Sequence, residues 1–253
     1  MGYSIIPNSS LESIQSRLSN AEDSKHALQL LGLIHAMEVS DVNRFMKFGK
    51  LSSAQLLQDL FVLEQLHFKK NGYFIEFGAA DGIRHSNTYL LEKEFDWKGI
   101  LAEPASIWHK SLYANRSAIV DTRCVWDESG KTLEFLEDAS AELSSPTEYR
   151  NQGIHKDRRI DAQKYKVSTV SLLEMLQEYD APREIDYLSI DTEGSEFRIL
   201  NAFDWDSYKF NVITVEHNYS KERHSISKLL QLNGYKQIFE ELSKFDDWYI
   251  REK

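Results

Sequence analysis

The stretch from Gly72 to Thr88 constrains the fold of this chain more than any other part of it. A short apolar run comes first, a loop with two glycines follows, and an amphipathic segment begins directly after the stretch. This order predicts a buried strand, a tight loop and a helix. Gly78 and Gly82 allow the loop to turn sharply and a ligand to approach the backbone. Glu76 lies inside the apolar run, where burying a carboxylate is costly unless a partner compensates it.

Two interpretations of this stretch follow from its residues. In the first, a nucleotide-type cofactor lies across the loop, and its hydroxyl and amine groups bind Glu76 and Asp81. In the second, the stretch is an ordinary strand-to-helix turn with a solvated glutamate at the strand end. We take the first as the working hypothesis, because the glycines leave room for a ligand where a Cβ atom would collide.

The rest of the chain alternates short apolar runs with segments of helical periodicity. This alternation predicts an α/β fold with a doubly wound, mainly parallel, seven-stranded Rossmann-like sheet and helices on both faces. The further strands are predicted near residues 100–101, 117–126, 185–190, 212–217, 235–239 and 248–250, with an edge strand at 132–136. Helices are predicted over 172–179, after Gly194 and over 226–232.

The chain divides into an N-terminal helical extension over residues 1–52 and a main domain over residues 53–253. Residues 127–166 are the least regular part of the main domain. A loop of this length inside a compact domain is typical of a lid or a flexible insertion. We predict a lid that faces the substrate.

The first helices precede the glycine loop. A short helix is expected before residue 20, a longer one over 21–39, and another from Ser53, which would be its N-cap. Gln58 and Asp59 lie on the less apolar side of that helix and are expected to be solvated. These helices could pack against the sheet, cover the cofactor or form a homodimer contact, and packing against the sheet is our prediction.

Composition excludes several classes of function. The 253 residues carry a formal net charge of -10, which disfavours tight binding to nucleic acid or to an anionic membrane surface. The single cysteine, Cys124, cannot form an internal disulfide, which fits a reducing compartment. Neither a signal peptide nor an apolar run of membrane-spanning length is evident. A cytoplasmic protein without membrane insertion is therefore expected.

Acidic side chains gather at the predicted carboxyl ends of the strands, where open parallel sheets bind their ligands. Glu103 ends the second strand, roughly 20 residues after the glycine loop, and its carboxylate suits two ribose hydroxyls. Cys124 and Val125 would border an adenine ring at the end of the third strand. The titratable side chains expected at this edge are Glu76, Asp81, Glu103, Asp191, Glu193, Glu216 and His217.

The glycine loop indicates which cofactor could bind. A dinucleotide needs Gly-x-Gly-x-x-Gly, so that a helix N-terminus meets the pyrophosphate. Here the loop is Gly78-Ala-Ala-Asp-Gly82, with an acid where phosphates would lie, and the chain has no P-loop. An NAD(P)-dependent enzyme is therefore disfavoured. S-adenosylmethionine fits better, because it carries a sulfonium, an amine and two ribose hydroxyls but no phosphate.

These residues resemble the FkbM-type methyltransferases of the class I S-adenosylmethionine-dependent fold, over roughly residue 53 to the C-terminus. The segment Gln55–Asp59 looks like the family's Gln-x-x-Gln-Asp, with Ala54 where a serine is usual. The loop before Val167 is longer than expected for the family. The motifs that carry the resemblance are Phe74–Gly82, Ser86–Thr88, Glu103-Pro104, Val167–Val170 and Leu188–Gly194.

The resemblance implies an O-methyltransferase that acts on a hydroxyl of a sugar or natural-product small molecule. It also implies that the glycine loop cradles the methionine part, while Ser86–Thr88 cap the helix and reach the carboxylate end. The acceptor would be a small molecule or a glycan. The predicted cofactor-binding residues are Glu76, Phe77, Gly78, Ala79, Asp81, Gly82, Ser86, Asn87, Thr88, Glu103, Pro104, Cys124 and Val125.

A neutral hydroxyl is a weak nucleophile, so a general base is expected. His217 and Asp191 are the candidates, supported by Glu193 and Glu216. Two plainer interpretations stay open, in which backbone groups satisfy His217 and Asp191 only caps a helix. A divalent metal held by Asp191, Glu216 and His217 is a further alternative, because oxygen ligands suit Mg²⁺.

Two other classes of function are alternatives to a small-molecule methyltransferase. A catalytically silent domain that binds the cofactor or a partner protein would keep the same motifs. A nucleic-acid methyltransferase is disfavoured, because the chain has no Asn/Asp-Pro-Pro-aromatic tetrapeptide and no basic stripe.

Overall fold

The computed structural model describes residues 21–137, 144–147 and 163–252. The short helix expected before residue 20 and most of the lid expected within 127–166 lie outside these ranges. None of the helices in the described part combines the length and the hydropathy needed to cross a bilayer. The helices are α1 Ala21–Ala36, α2 Val42–Gly49, α3 Gln58–Gln65, α4 Tyr89–Phe95, α5 Ser106–Asn115, α6 Leu172–Glu178, α7 Glu196–Ala202, α8 Arg223–Leu232 and α9 Glu240–Ser243.

Eleven strands form two sheets in these ranges. The larger sheet has seven strands in the order β10-β11-β9-β8-β1-β2-β3, and the smaller has four in the order β4-β7-β5-β6. The strands are β1 Tyr73–Phe77, β2 Lys98–Ala102, β3 Ile119–Asp121, β4 Cys124–Trp126, β5 Thr132–Glu137, β6 Ser145–Pro146, β7 Gln163–Ser171, β8 Glu184–Ile190, β9 Lys209–Glu216, β10 Tyr235–Ile238 and β11 Asp246–Arg251.

The seven-stranded sheet confirms the predicted fold class. Strands β3, β2, β1, β8 and β9 run parallel, while β11 is antiparallel to β9 and to β10. In the sheet, β2 and β3 lie on one side of β1. Strands β8 and β9, which come later in the chain, lie on the other side of β1. The strand order therefore reverses beside β1, which makes a crevice at the carboxyl ends of β1 and β8.

Helices cover both faces of this sheet, because successive side chains of each strand point to opposite faces. In β1, Phe74 packs in the core cluster formed with α1 to α4, whereas Ile75 and Phe77 pack in the cluster formed with α6 to α8. Helices α1 to α3 thus pack against the main domain, as predicted. Glu76 shares its side of the strand with Phe74, and this alternation decides where its carboxylate lies.

The strand predicted over residues 117–126 is wrong as a single element. The chain forms β3 in the large sheet, turns after Asp121, and enters the small sheet as β4, which pairs in parallel with β7. Both oxygens of Asp121 accept hydrogen bonds from Arg123, which fixes this turn. Apolar patterning gives no sign of a change of sheet.

The start predicted for the helix after Ser53 is also wrong. Helix α3 begins at Gln58, after Leu57 in the left-handed region with a φ of 64°. Gln58 and Asp59 are buried rather than solvated, with 4% and 0% of their surface exposed. Gln58 donates to Asp246 and accepts from the amide of Leu56, so its polar groups are satisfied inside the protein.

Candidate active site

The glycine loop after β1 passes very close to the end of β8. Gly78 has a φ of +76°, and a Cβ atom there would lie 2.1 Å from the carbonyl oxygen of Asp191. Gly82 has a φ of +81°, and a Cβ atom there would lie 2.6 Å from the Cγ atom of Arg116. Both positions therefore need glycine for conformation and for space, as the sequence indicated.

Glu76 does not line the cavity that contains Glu103, which is described below. Its carboxylate accepts hydrogen bonds from the Ser86 hydroxyl at 3.0 Å, the Asn87 amide at 2.6 Å and the Thr88 hydroxyl at 2.5 Å. Strand alternation directs it to the face covered by α1 to α4, away from the side on which Phe77 lines the cavity described below. The structure therefore assigns Glu76 to the scaffold of the loop, and its contact with a cofactor stays a prediction.

A buried arginine completes this scaffold. The side chain of Arg116 is fully buried, and its guanidinium lies 2.8 Å from Glu92 and 3.6 Å from Glu76. It also donates to the carbonyl of Gly82 and to the hydroxyls of Ser86 and Thr88. Nothing in the sequence marks this role, because a single arginine at the end of a helix carries no pattern.

Asp81 and the Ser86–Thr88 segment also serve the loop. Asp81 accepts hydrogen bonds from the amides of Ile83 and Arg84, which shape the turn. Ser86 accepts from the amide of Tyr89, the first residue of α4, whereas the N-cap residue Thr88 makes no side-chain cap hydrogen bond. The Asn87 side chain donates to Ser189 on β8. These side chains hold the loop against the sheet, and the cavity is lined by other residues.

A cavity of about 590 Å³, counted with its open mouth, lies over the carboxyl ends of β1, β2 and β8. Phe77, Gly78, Glu103, Pro104, Cys124 and Val125 line it among the predicted cofactor-binding residues, and Asp191 and Glu193 among the predicted catalytic ones. Ala79 is buried beside it and is not in the lining. The lining residues that sequence reasoning missed are Ala80, Ala102, Phe135, Ser144, Pro146, Thr192 and Ser195.

Glu103 is held in this cavity by two backbone amides. The Ala80 amide donates to one carboxylate oxygen at 2.8 Å, and the Ala105 amide donates to the other at 2.7 Å. Burial raises the pKa of Glu103 to about 7, and the nearby negative charges of Asp191 and Glu137 act in the same direction. Each oxygen keeps a lone pair for a further donor, such as a hydroxyl of a ligand.

Cys124 and Val125 lie in the cavity as the sequence predicted, although they belong to the small sheet. Burial, with a smaller contribution from Glu103, raises the pKa of the Cys124 thiol to about 12. The thiol is therefore neutral near pH 7 and acts as an apolar wall. The same sheet contributes Phe135 and Pro146, and Ser144 directly precedes its strand β6; apolar patterning alone carries no signal for these residues.

Three carboxylates meet beside the cavity. One oxygen from each of Asp191, Glu193 and Glu216 lies within 4.8 Å of the others. Burial raises the pKa of Glu216 well above its usual range, and the charges of Asp191 and Glu193 add to this effect. Glu216 therefore holds a proton under conditions in which an exposed glutamate is ionised.

His217 is not part of this group. Its Nδ1 atom accepts from the amide of Tyr219 at 3.0 Å, and its Nε2 atom lies 3.6 Å from Asp247. Burial lowers the pKa of His217, so its imidazole is neutral near pH 7. The metal alternative that included His217 is corrected, since Glu193 takes its place in the group that the described residues form.

His217 does line a second cavity of about 360 Å³, again counted with its open mouth. This cavity lies beyond the ends of β8 and β9, and Glu193 lines both cavities. Among the described residues that line it, carboxylates predominate and neither lysine nor arginine occurs. The residues that line it are Glu193, Gly194, Glu196, Glu216, His217, Asn218, Ser220 and Glu222.

The strand order and the position of the cavity that contains Glu103 define the class of protein. An open α/β sheet with its ligand crevice beside the first strand, at the carboxyl ends, has the Rossmann-like architecture that binds nucleotide-type ligands. The chain belongs to the FkbM methyltransferase family, because the family model described as "Methyltransferase FkbM domain" matches residues 76–246. Membership of this family implies the use of S-adenosylmethionine.

Solved structures of methyltransferases resemble the chain distantly. A precorrin-6y C5,15-methyltransferase from Geobacter metallireducens GS-15 is 12% identical with a TM-score of 0.42, over 79% of this chain and 91% of that one. A "putative RNA methyltransferase PH1948" from Pyrococcus horikoshii is 10% identical with a TM-score of 0.40, over 90% and 98%. No curated protein sequence matches the chain. The family assignment rests on the family model alone.

Proposed function

We propose that this protein is an S-adenosylmethionine-dependent O-methyltransferase that acts on a hydroxyl of a sugar or natural-product small molecule. The observation that supports it most is Glu103, which is fixed in the cavity over the ends of β1, β2 and β8 by the amides of Ala80 and Ala105. A carboxylate held in this way can accept two ribose hydroxyls. The acid-lined cavity disfavours a ligand with phosphates.

The residues of the cavity fit this cofactor. Glu103 would hold the ribose, Cys124 and Val125 would border the adenine, and the backbone at Gly78 would pass beneath the methionine part. Gly78 fits this role because its missing side chain leaves the loop free to lie against the end of β8. When bound, the cofactor supplies a methyl group on a positively charged sulfur, and Asp191 and Glu193 place negative charge in the same cavity.

The second cavity is the proposed place for the acceptor, because it shares Glu193 with the cofactor cavity. Positioning of the acceptor oxygen toward the methyl group would supply much of the acceleration, up to about 7–11 kcal/mol in well-oriented reactions. Asp191 or Glu193 would take the hydroxyl proton, a contribution of roughly 10²–10⁴-fold. His217 would shape the cavity, since its nitrogens face Tyr219 and Asp247.

Labelled cofactor tests this proposal. The protein would be incubated with S-adenosylmethionine carrying a ¹³C-methyl group and with pools of hydroxylated sugars and natural products. A methyl ether, recognised by carbon NMR, together with S-adenosylhomocysteine is the expected product. Cofactor binding without transfer to any pool would favour a catalytically silent domain, and a label on nitrogen or carbon would contradict O-methylation.

The matched variants are Asp191→Asn and Asp206→Asn. We expect Asp191→Asn to keep affinity for S-adenosylhomocysteine and to lose most of the turnover, because it removes a carboxylate from the group beside the acceptor. Asp206→Asn makes the same chemical change at an exposed position outside both cavities and is expected to keep turnover. Equal turnover in the wild type and the Asp191→Asn variant would remove Asp191 from the reaction.

A further inference from the structure

The chain makes an unusual turn directly after β9, beside the second cavity. Asn218 and Tyr219 both have left-handed backbone conformations there, with φ values of 42° and 55°. Asn218 and Ser220, the two neighbours of Tyr219 in the sequence, line the cavity. A positive φ is uncommon outside glycine and is an outlier for a side chain as bulky as tyrosine. Such a conformation persists only where packing or function compensates it.

Packing in the core does not compensate the backbone conformation of Tyr219, because 64% of the surface of this residue is exposed. Phe68 is an instructive comparison. It also has a left-handed φ, of 53°, but it is only 8% exposed and its ring contacts Phe48 and Phe95. Burial of that ring offsets the cost of its backbone conformation. The exposed ring of Tyr219 gains far less from burial, and backbone outliers of this kind are typical of functional sites.

Hydrogen bonds hold the turn, and with it the Tyr219 ring, in one position. The Tyr219 amide donates to Nδ1 of His217 at 3.0 Å, and the Ser220 amide donates to the carbonyl oxygen of His217 at 2.6 Å. The amides of His217 and Asn218 donate to the carbonyl oxygen of Phe245 at 2.9 and 3.1 Å. The Tyr219 ring stands at 80° to the imidazole of His217, with centroids 5.4 Å apart. One such perpendicular contact covers at most one face of a ring, so the exposed Tyr219 keeps a face open to a ligand.

The second cavity beside this ring suits hydroxyl groups and disfavours anions. Glu193, Glu222 and Asn218 are among its lining residues, and a carboxylate accepts hydrogen bonds from two neighbouring hydroxyls. None of its lining residues in the described part of the chain is a lysine or an arginine, so a phosphate or carboxylate group would meet like charge without a counter-ion. A sugar ring matches both features, because its hydroxyls radiate from the ring edge while its C–H groups form apolar faces.

We propose that the acceptor is an uncharged sugar and that its C–H face stacks on the ring of Tyr219. This inference rests on the proposed function, because it requires that the second cavity takes the acceptor. It narrows that function from hydroxylated small molecules in general to sugars without a phosphate or carboxylate group. The stacked ring presents its edge hydroxyls to the cavity, where Glu193 also borders the cofactor cavity. Tyr219 is then a residue that determines specificity, while the proton is taken by a carboxylate.

Steady-state kinetics with defined acceptors test the inference. The probes are methyl glycosides of hexoses, the 6-phosphates of the same glycosides, and steroid and polyketide alcohols. We expect the wild type to methylate a glycoside, with a KM at least about tenfold higher for its 6-phosphate. Tyr219→Ala should raise the KM for that glycoside by about 3- to 10-fold, the range typical of a lost aromatic contact, and leave kcat within about twofold, because the contact is made equally before and during the reaction. Tyr219→Phe keeps the ring and should keep the wild-type KM.

The control and the alternative outcomes decide the inference. Tyr113→Ala is the matched control, because Tyr113 is 58% exposed on α5 and lines neither cavity, and it should keep the wild-type KM. A KM of Tyr219→Ala within about twofold of the wild type, or an equal rise in Tyr113→Ala, would overturn the inference. If Tyr219→Ala does not fold, as judged by its thermal transition, Tyr219→Gly decides by the same criterion, since glycine adopts a positive φ without strain.

The choice of acceptor separates this inference from the proposed function. Transfer to the steroid or polyketide alcohols alone, or a preference for the 6-phosphates, would overturn the inference while leaving methyl transfer to a hydroxyl in place. Binding of S-adenosylhomocysteine without transfer to any hydroxyl would refute the proposed function itself.

Discussion

Gly78 and Asp191 are in contact across the ligand crevice, and a Cβ atom at position 78 would lie 2.1 Å from the carbonyl oxygen of Asp191. This contact joins the glycine loop after β1 to the acidic end of β8. In our proposal the glycine loop binds the cofactor and the end of β8 carries the catalytic residues, so this contact fixes the distance between them. A substitution that separates the two segments should therefore weaken both cofactor binding and catalysis.

Gly78→Ala tests this contact. Alanine at a φ of +76° carries the left-handed penalty of about 1–2 kcal/mol and must also push the Asp191 backbone away. We expect calorimetry to show at least a tenfold loss of affinity for S-adenosylhomocysteine. Gly130→Ala is the control, because Gly130 has a φ of +77° and a Cβ atom there would meet nothing within 4 Å. Equal loss in both variants would show that backbone strain alone is responsible.

The affinity for S-adenosylhomocysteine should depend on the protonation of Glu103. Burial raises its pKa to about 7, so at pH 6 the group is mostly protonated and at pH 8 mostly ionised. Only the ionised form offers both oxygens as acceptors to the amides and to the ribose. We expect the affinity to rise between pH 6 and pH 8 and to be weaker in Glu103→Gln, with a flatter pH profile. A parallel pH profile in that variant would exclude Glu103 from the ribose role.

Asp246 should make the fold less stable as the pH rises. Its pKa is raised from 3.8 to about 8, mainly by burial, while Gln58 and Trp248 donate to its carboxylate. The folded chain keeps a proton that the unfolded chain loses near pH 4, so raising the pH from about 4 to about 8 favours unfolding. In Asp246→Asn, thermal melting should depend less on pH over this window. An unchanged pH dependence would contradict the raised pKa.

Asp191→Asn should lower the pKa of Glu216. Burial is the main cause of the raised pKa of Glu216, and the negative charge of Asp191 is the next. Removing that charge therefore makes ionisation of Glu216 easier. Carbon NMR titration of the glutamate carboxyl groups would show the decrease. His217→Ala is the control, since His217 lies outside the acidic group, and an equal decrease in that variant would contradict the assignment.

The features that depend on local pattern could be predicted from the sequence. The strand, loop and helix around Gly78 follow from apolar runs and glycine positions, and the structure places them as expected. The position of Glu103 in the cavity also follows, because parallel strands end at the same edge, whereas Cys124 and Val125 reach the cavity from the small sheet. The side of the sheet on which Glu76 lies is a local feature too, since strand alternation sets Glu76 and Phe77 on opposite faces.

Other features depend on long-range contacts that one sequence does not display. Arg116 reaches Glu76 and Glu92 across the packed loop, and no motif marks it. Phe135 reaches the cavity because β5 joins a second sheet with β7, and the chain gives no local signal for that change of sheet. The burial of Gln58 could not be predicted, because the residue that its side chain binds, Asp246, is 188 positions further along the chain.

The central claim is that the acid-lined crevice takes a cationic donor without phosphates. Isothermal titration of the wild-type protein with S-adenosylmethionine, S-adenosylhomocysteine and NAD tests it most directly. We predict saturable binding of both S-adenosyl compounds and no measurable binding of NAD. Binding of NAD without binding of either S-adenosyl compound would contradict the account.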